Sequence, residues 1–172
     1  MSEPKYVFIC SPYRNNPAYN TEMTREACRQ VVLHTPYIPL APHLYFTLFL
    51  KDEAPRERSK GIESGLNWLE KSFIVFAIKN EEGISEGMMN ELKYAKKLSK
   101  PIMFFENYEH FFDFISNNST KVIDSIFGQL SNPCINCKNN HPHLLCCNCR
   151  CDDGRQKYIN YQNFKGVIYY YE

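Results

Sequence analysis

The chain of 172 residues predicts an α/β fold: a three-layer, Rossmann-like or flavodoxin-like parallel sheet, followed by a small C-terminal zinc-binding module. Three observations carry this reading. Short apolar runs alternate with helical stretches over residues 5–130, the order expected of a sheet with helices on its faces. The runs are apolar at every position rather than at alternate ones, which marks strands covered on both sides. Six of the eight cysteines crowd between Cys134 and Cys151, beyond the break Ser131-Asn132-Pro133. The expected division is therefore a domain over residues 1–130 and a cysteine-rich module over residues 131–172.

Each element has a local reason. Lys5-Tyr6-Val7-Phe8-Ile9-Cys10 reads as a strand entering the turn Ser11-Pro12-Tyr13-Arg14-Asn15-Asn16-Pro17. A helix is expected over residues 18–33, with Ala27, Val31 and Val32 among its apolar positions. Tyr37-Ile38-Pro39-Leu40 reads as a second strand, and its proline suits a strand end or a sheet edge. The chain then leaves through Ala41-Pro42-His43-Leu44-Tyr45. Residues 53–71 read as a helix with Pro55 in its first turn and Ile62, Leu66 and Leu69 on one face. Phe73-Ile74-Val75-Phe76-Ala77-Ile78 is the third strand. A helix beginning near Ser85 follows, and Pro101-Ile102-Met103-Phe104-Phe105 is the fourth strand. Residues 110–115 and 121–130 read as helical. The segment from Phe164 to Tyr171 offers one more strand, either to the main sheet or to a ribbon of the cysteine-rich module.

Composition bounds the function. The net charge is +1 with the charges scattered, so nucleic acid is not an expected partner. No run approaches the roughly 18 apolar residues of a membrane span, and no apolar stretch of signal-peptide length follows Met1-Ser2-Glu3-Pro4-Lys5. These features lead to the expectation of a soluble, cytoplasmic protein, with homo-oligomer formation left open. No glycine-rich phosphate loop is present, which excludes a P-loop enzyme.

The cysteines suggest metal. Cys134-Ile135-Asn136-Cys137 and Cys146-Cys147-Asn148-Cys149 are two C-x-x-C turns, each followed by a basic residue. Such a turn aims two thiolates at one ion, and two turns complete a tetrahedral structural zinc site. Cys134, Cys137, Cys146 and Cys149 are the expected ligands, with Cys151, His141 and His143 as alternates.

The helix after the third strand carries the best catalytic candidate. At about 100° per residue, Met88, Leu92, Ala95 and Ser99 form one stripe, and Glu91 falls on it. A lone carboxylate facing an α/β core is costly unless it is paired or lines a cleft. Ligands of such sheets bind beyond the carboxyl ends of the strands, which is where residues 79–87 and the first helical turns lie, including Ser85, Glu86 and Met88. His43, just past the second strand, is placed to meet a phosphate or a base, or is a surface-turn histidine. Tyr45 stacks on a base or belongs to the core. Arg56 and Arg58 flank Glu57 as an ion-paired face, whereas Arg14 sits in a loop at a strand's carboxyl end and suits a phosphate.

Taken as a set, Ser11-Pro12-Tyr13, Pro39-Leu40-Ala41-Pro42-His43-Leu44-Tyr45, Ile84-Ser85-Glu86-Gly87-Met88, Glu91-Leu92-Lys93-Tyr94-Ala95 and Lys100-Pro101 resemble the nucleoside 2-deoxyribosyltransferase superfamily, in particular its bacterial and phage branch. The resemblance covers roughly residues 5–105 and leaves out the cysteine-rich tail. It implies that Glu91 is the nucleophile that attacks the anomeric carbon, and that Ser11, Tyr13 and Arg14 contact sugar or phosphate. The position of the family's loop aspartate is Ser85 here. The expected function is thus cleavage or transfer at the N-glycosidic bond of a nucleoside, a nucleotide or an NAD-like substrate. The alternatives are a nucleotide-binding protein without turnover, and an adaptor that acts through the zinc module.

Overall fold

A computed structural model of the chain describes residues 3–117 together with strand residues 159–160 and 167–169. The elements are β1 (Tyr6–Cys10), α1 (Pro17–His34), β2 (Ile38–Leu40), α2 (Pro42–Phe46), α3 (Pro55–Lys71), β3 (Ile74–Ile78), α4 (Glu86–Lys97), β4 (Ile102–Phe105), α5 (Tyr108–Asn117), β5 (Ile159–Asn160) and β6 (Val167–Tyr169). They form one sheet in the order β2-β1-β3-β4-β6-β5. The first four strands are parallel, with Val7 opposite Pro39 and Ile74, and Val75 opposite Ile102. β6 runs antiparallel to β4, pairing Met103 with Ile168, and β5 runs antiparallel to β6. The extra strand therefore joins the main sheet, which is parallel at its centre and antiparallel at one margin. Pro39 lies in β2, an edge strand, where its missing N–H leaves no gap in the ladder.

The continuous apolar runs are explained by two cores, one on each side of the sheet. Val7, Ile9, Ile74, Phe76, Ile78, Met103 and Phe105 face α1 and α5, where Ala27, Val31, Phe111 and Ile115 pack against them. Phe8, Cys10, Val75, Ala77, Ile102 and Phe104 face α3 and α4 and meet Leu69, Met88, Leu92 and Ala95. Alternate residues of each strand point to opposite cores. Each large apolar side chain so buried contributes roughly 1.5–3 kcal/mol.

The helices start and stop for identifiable reasons. Asn16 and Ser85 cap α1 and α4, accepting from Tyr19 N and Met88 N, and prolines open α1, α2 and α3. Glu86 in the first turn of α4 and Lys96 and Lys97 in its last suit the helix dipole. α4 ends in a Schellman motif: Lys100 N donates to Ala95 O and Ser99 N to Lys96 O, with Ser99 left-handed at φ 54°.

Three local expectations are corrected. Ser99 is exposed rather than part of the inward stripe, because the helix has already ended. Val32 is exposed, since the buried stripe of α1 is Asn20, Thr24, Ala27 and Val31. Ile62 also faces outward; the inward positions of α3 are Gly65 and Leu69. Residues 42–46, through which the chain leaves β2, form the short helix α2. α2 packs so closely on α3 that a Cβ at Gly65 would lie 3.0 Å from Pro42 Cβ. The helix expected over residues 121–130, the cysteine turns and His141 and His143 lie outside the described residues.

The topology creates one crevice. From β1 the chain crosses to β2 on one side, while β3 and β4 lie on the other, so the loops after β1 and β3 diverge above the sheet. These loops, residues 11–16 and 79–85, are bridged where Asn15 Nδ2 donates to the Glu82 carboxylate. Asn15 takes a left-handed conformation, φ 71°, to do so, and Gly83 at φ 83° closes the turn that presents Glu82.

Candidate functional site

Glu91 lies on α4 at this crevice. Its residue is half-buried, and the protein around its carboxyl group pushes the pKa from 4.5 up to about 7 by desolvation, which a hydrogen bond from the Cys10 thiol partly offsets. No cation pairs with Glu91 among the described residues. Cys10, the last residue of β1, is wholly buried, and its Sγ also lies 3.9 Å from the Met88 carbonyl as a donor. Burial, then the Glu91 charge, holds the Cys10 thiol well above its usual range. Cys10 is therefore a neutral thiol beside the Glu91 carboxyl group and does not neutralise it.

The next residue turns to the opposite face and begins a buried hydroxyl cluster. Ser11 Oγ is 2.9 Å from Thr24 Oγ1 on α1, and Thr24 Oγ1 is 3.0 Å from the Tyr108 hydroxyl on α5. His43 Nε2, from the first turn of α2, lies 3.3 Å from Thr24 Oγ1 and 3.5 Å from Ser11 Oγ. Burial lowers the His43 pKa from 6.5 to about 4, so the imidazole is uncharged at neutral pH. The Tyr13 ring tilts over it at 5.9 Å between centroids. Behind the loop, Asn20 Nδ2 donates to the carbonyls of Tyr13 and Arg14, fixing the path of the segment that carries them.

The structure thus gathers Ser11, Tyr13 and His43 at the carboxyl end of β1, on the face of the sheet opposite to the Cys10 and Glu91 side chains. The other expected residues have other surroundings. Ser85 caps α4, Glu86 is exposed, and Met88 is buried in the core between α4 and the sheet. Tyr45 is half-exposed and packs on Trp68 and Phe49. Arg14 shares Asp52 with Arg58, at 3.2 Å and 2.6 Å, so one carboxylate holds two guanidinium groups at the rim. The ion-paired reading of Arg58 matches this arrangement. Among the described residues, no cluster of His, Cys, Asp and Glu could hold a metal ion, and no helix is long and apolar enough to cross a membrane.

Cys10, Thr24, Tyr108 and Asp52 are the residues that sequence reasoning passed over. Two left a signal. Asn20 and Thr24 lie at i−7 and i−3 from Ala27, polar groups on a stripe that is otherwise apolar, and Cys10 directly precedes Ser11 at the strand's end. Nothing in the sequence links Tyr108 to Thr24, which is 84 residues away.

Residues 5–105 match the model of a family described as a domain of unknown function, DUF7768. No curated protein matches the chain. Among solved structures, the chain is similar to the 2-deoxyribosyltransferase of the psychrotolerant bacterium Bacillus psychrosaccharolyticus, at 14% identity and a TM-score of 0.47 over 60% of this chain and 88% of that one. It is similar also to a 2-deoxyribosyltransferase from Leishmania mexicana, at 20% identity and a TM-score of 0.44 over 59% of this chain and 64% of that one.

Proposed function

The chain belongs to the DUF7768 family, and we propose that its crevice cleaves or transfers at the N-glycosidic bond of a nucleoside, nucleotide or NAD-like substrate, with Glu91 as nucleophile. The observation that carries this reading is a desolvated carboxyl group beside a neutral thiol, with no cation paired to it among the described residues. Such a group gains most when positive charge develops next to it, as it does on the sugar when a glycosidic bond breaks. One carboxylate oxygen bonds to the anomeric carbon as the C–N bond breaks. The bonding pair leaves with the base, which takes up a proton from water. Water or an acceptor base then displaces Glu91 and restores the carboxylate.

The surroundings fit these roles. The Cys10 thiol lies beside the carboxyl group and eases its ionisation. In this reading the Tyr13 ring, tilted over His43, would meet sugar or base, and Arg14, held by Asp52, would meet a phosphate of a nucleotide. The test is release of free base from a panel of nucleosides, nucleotides and NAD, read by chromatography. The nucleophilic form is ionised, so activity should rise with pH through about 7. Binding of these compounds with no base released would return the crevice to a binding function. We also propose, from the doubled C-x-x-C spacing, that Cys134, Cys137, Cys146 and Cys149 hold a structural zinc.

A further inference from the structure

The hydroxyl cluster around His43 fixes where its proton sits. Three hydroxyl groups meet there, each with one hydrogen. Thr24 Oγ1 donates its hydrogen to the Asn20 carbonyl at 2.8 Å. Its oxygen can therefore only accept from its other neighbours. The 2.9 Å contact with Ser11 then requires the Ser11 hydrogen, and the 3.0 Å contact with Tyr108 requires the Tyr108 hydrogen. All three hydrogens are now engaged. The competing assignment, Ser11 donating to His43 at 3.5 Å, would leave two oxygens facing each other at 2.9 Å with no hydrogen between them. His43 Nε2 must accordingly carry its own hydrogen and donate to the Ser11 oxygen, whose lone pairs are free, since both lone pairs of Thr24 Oγ1 are already taken by Ser11 and Tyr108.

The consequence appears at the other nitrogen. Nδ1 is left with a lone pair, and it makes no hydrogen bond among the described residues. It is also not one of their buried unpaired polar atoms, which are Asn20 Oδ1 and His110 Nδ1, so it is not completely covered. We infer that His43 is a specificity-determining residue: it presents an unprotonated Nδ1 to the crevice, and the ligand supplies a neutral hydrogen-bond donor there, a hydroxyl or an amino group, rather than a phosphate.

A lone pair repels a phosphate oxygen and attracts an O–H or N–H, so this nitrogen selects for the sugar or base portion of a nucleoside. His43 in this state does not protonate the leaving base. The ligand class rests on the glycosidic reading of the crevice; the tautomer does not, because it follows from the ligand-free arrangement.

Nitrogen NMR of the full-length protein, with imidazole ¹⁵N resonances assigned at pH 7, tests both parts. The expected result is a neutral ring with the hydrogen on Nε2. Thr24→Val removes the acceptor at nearly constant shape and frees the Ser11 hydrogen to turn toward Nε2, so this variant should move the hydrogen to Nδ1. Thr24→Ser keeps the acceptor and should keep the wild-type tautomer. Adenosine should then shift the Nδ1 resonance in the wild type, and bind the Thr24→Val protein about tenfold more weakly, the equivalent of one hydrogen bond. A hydrogen on Nδ1, or a charged ring, in the wild-type protein overturns the inference. The expected tautomer with an Nδ1 that responds to inorganic phosphate and not to adenosine overturns the ligand class. A wild-type tautomer as expected with base release absent from every nucleoside tested would count against the glycosidic reading alone.

Discussion

Replacing Glu91 with glutamine should make the protein more stable at pH 8 and leave its stability unchanged at pH 4. A carboxyl group raised from 4.5 to about 7 burdens the folded state, when ionised, by up to about 3 kcal/mol, at roughly 1.4 kcal/mol per pH unit. Its favourable contribution is complete below pH 4.5, is lost as pH rises, and is gone above about 7. Glutamine keeps the shape, remains neutral and can still meet the Cys10 thiol, so the variant escapes that loss. His43 acts in the opposite sense. With a pKa lowered from 6.5 to about 4, it contributes stability that is full above pH 6.5 and lost as pH falls toward 4. Between pH 4.5 and 6.5 the two slopes oppose each other and nearly cancel in the wild type. Glu91→Gln should therefore expose the His43 slope, losing up to about 3 kcal/mol from pH 6.5 to pH 4. Urea midpoints at pH 4, 6 and 8 for both proteins supply the measurement. A variant no more stable than wild type at pH 8, or more stable by the same amount at pH 4, would refute the burial of this carboxyl group.

Three further outcomes are expected. Ser99→Gly should raise stability by about 1 kcal/mol, because it relieves a left-handed backbone at the end of α4 while both Schellman hydrogen bonds remain; thermal melting would show it. Arg14→Ala should weaken nucleotide binding by roughly 1.5–3 kcal/mol if the guanidinium meets a phosphate, and leave nucleoside binding unchanged, as read by calorimetry. Purified protein should contain about one zinc per chain; Cys134→Ser or Cys137→Ser should lose it and Cys147→Ser should keep it, as measured by elemental analysis.

The sequence made the fold legible wherever burial was two-sided. β1, β3 and β4 are flanked on both faces, so their apolar runs had one interpretation, and Pro39 marked the edge correctly. Helix faces were harder to read. Gly65 lies inward because α2 packs against it, and that tertiary contact reverses the apparent role of Ile62. Residues 42–46 form a helix too short for periodicity to register. At the site, Glu91 stood out because a charge on an apolar stripe is rare. Its thiol partner did not, since an isolated apolar-looking cysteine at a strand end is indistinguishable from core. Thr24 and Tyr108 meet only after α1 and α5 are brought onto one face of the sheet, and a pairing across 84 residues has no local signature.

The central claim is that Glu91 carries the glycosyl group. The direct measurement is peptide mass spectrometry of protein quenched during turnover of a nucleoside that releases base. The α4 peptide should gain the mass of one glycosyl residue at Glu91 in the wild type. The Glu91→Gln protein should carry no adduct and release base at least about 10³-fold more slowly. Base release at the wild-type rate by Glu91→Gln, or an adduct on a different side chain, would contradict it.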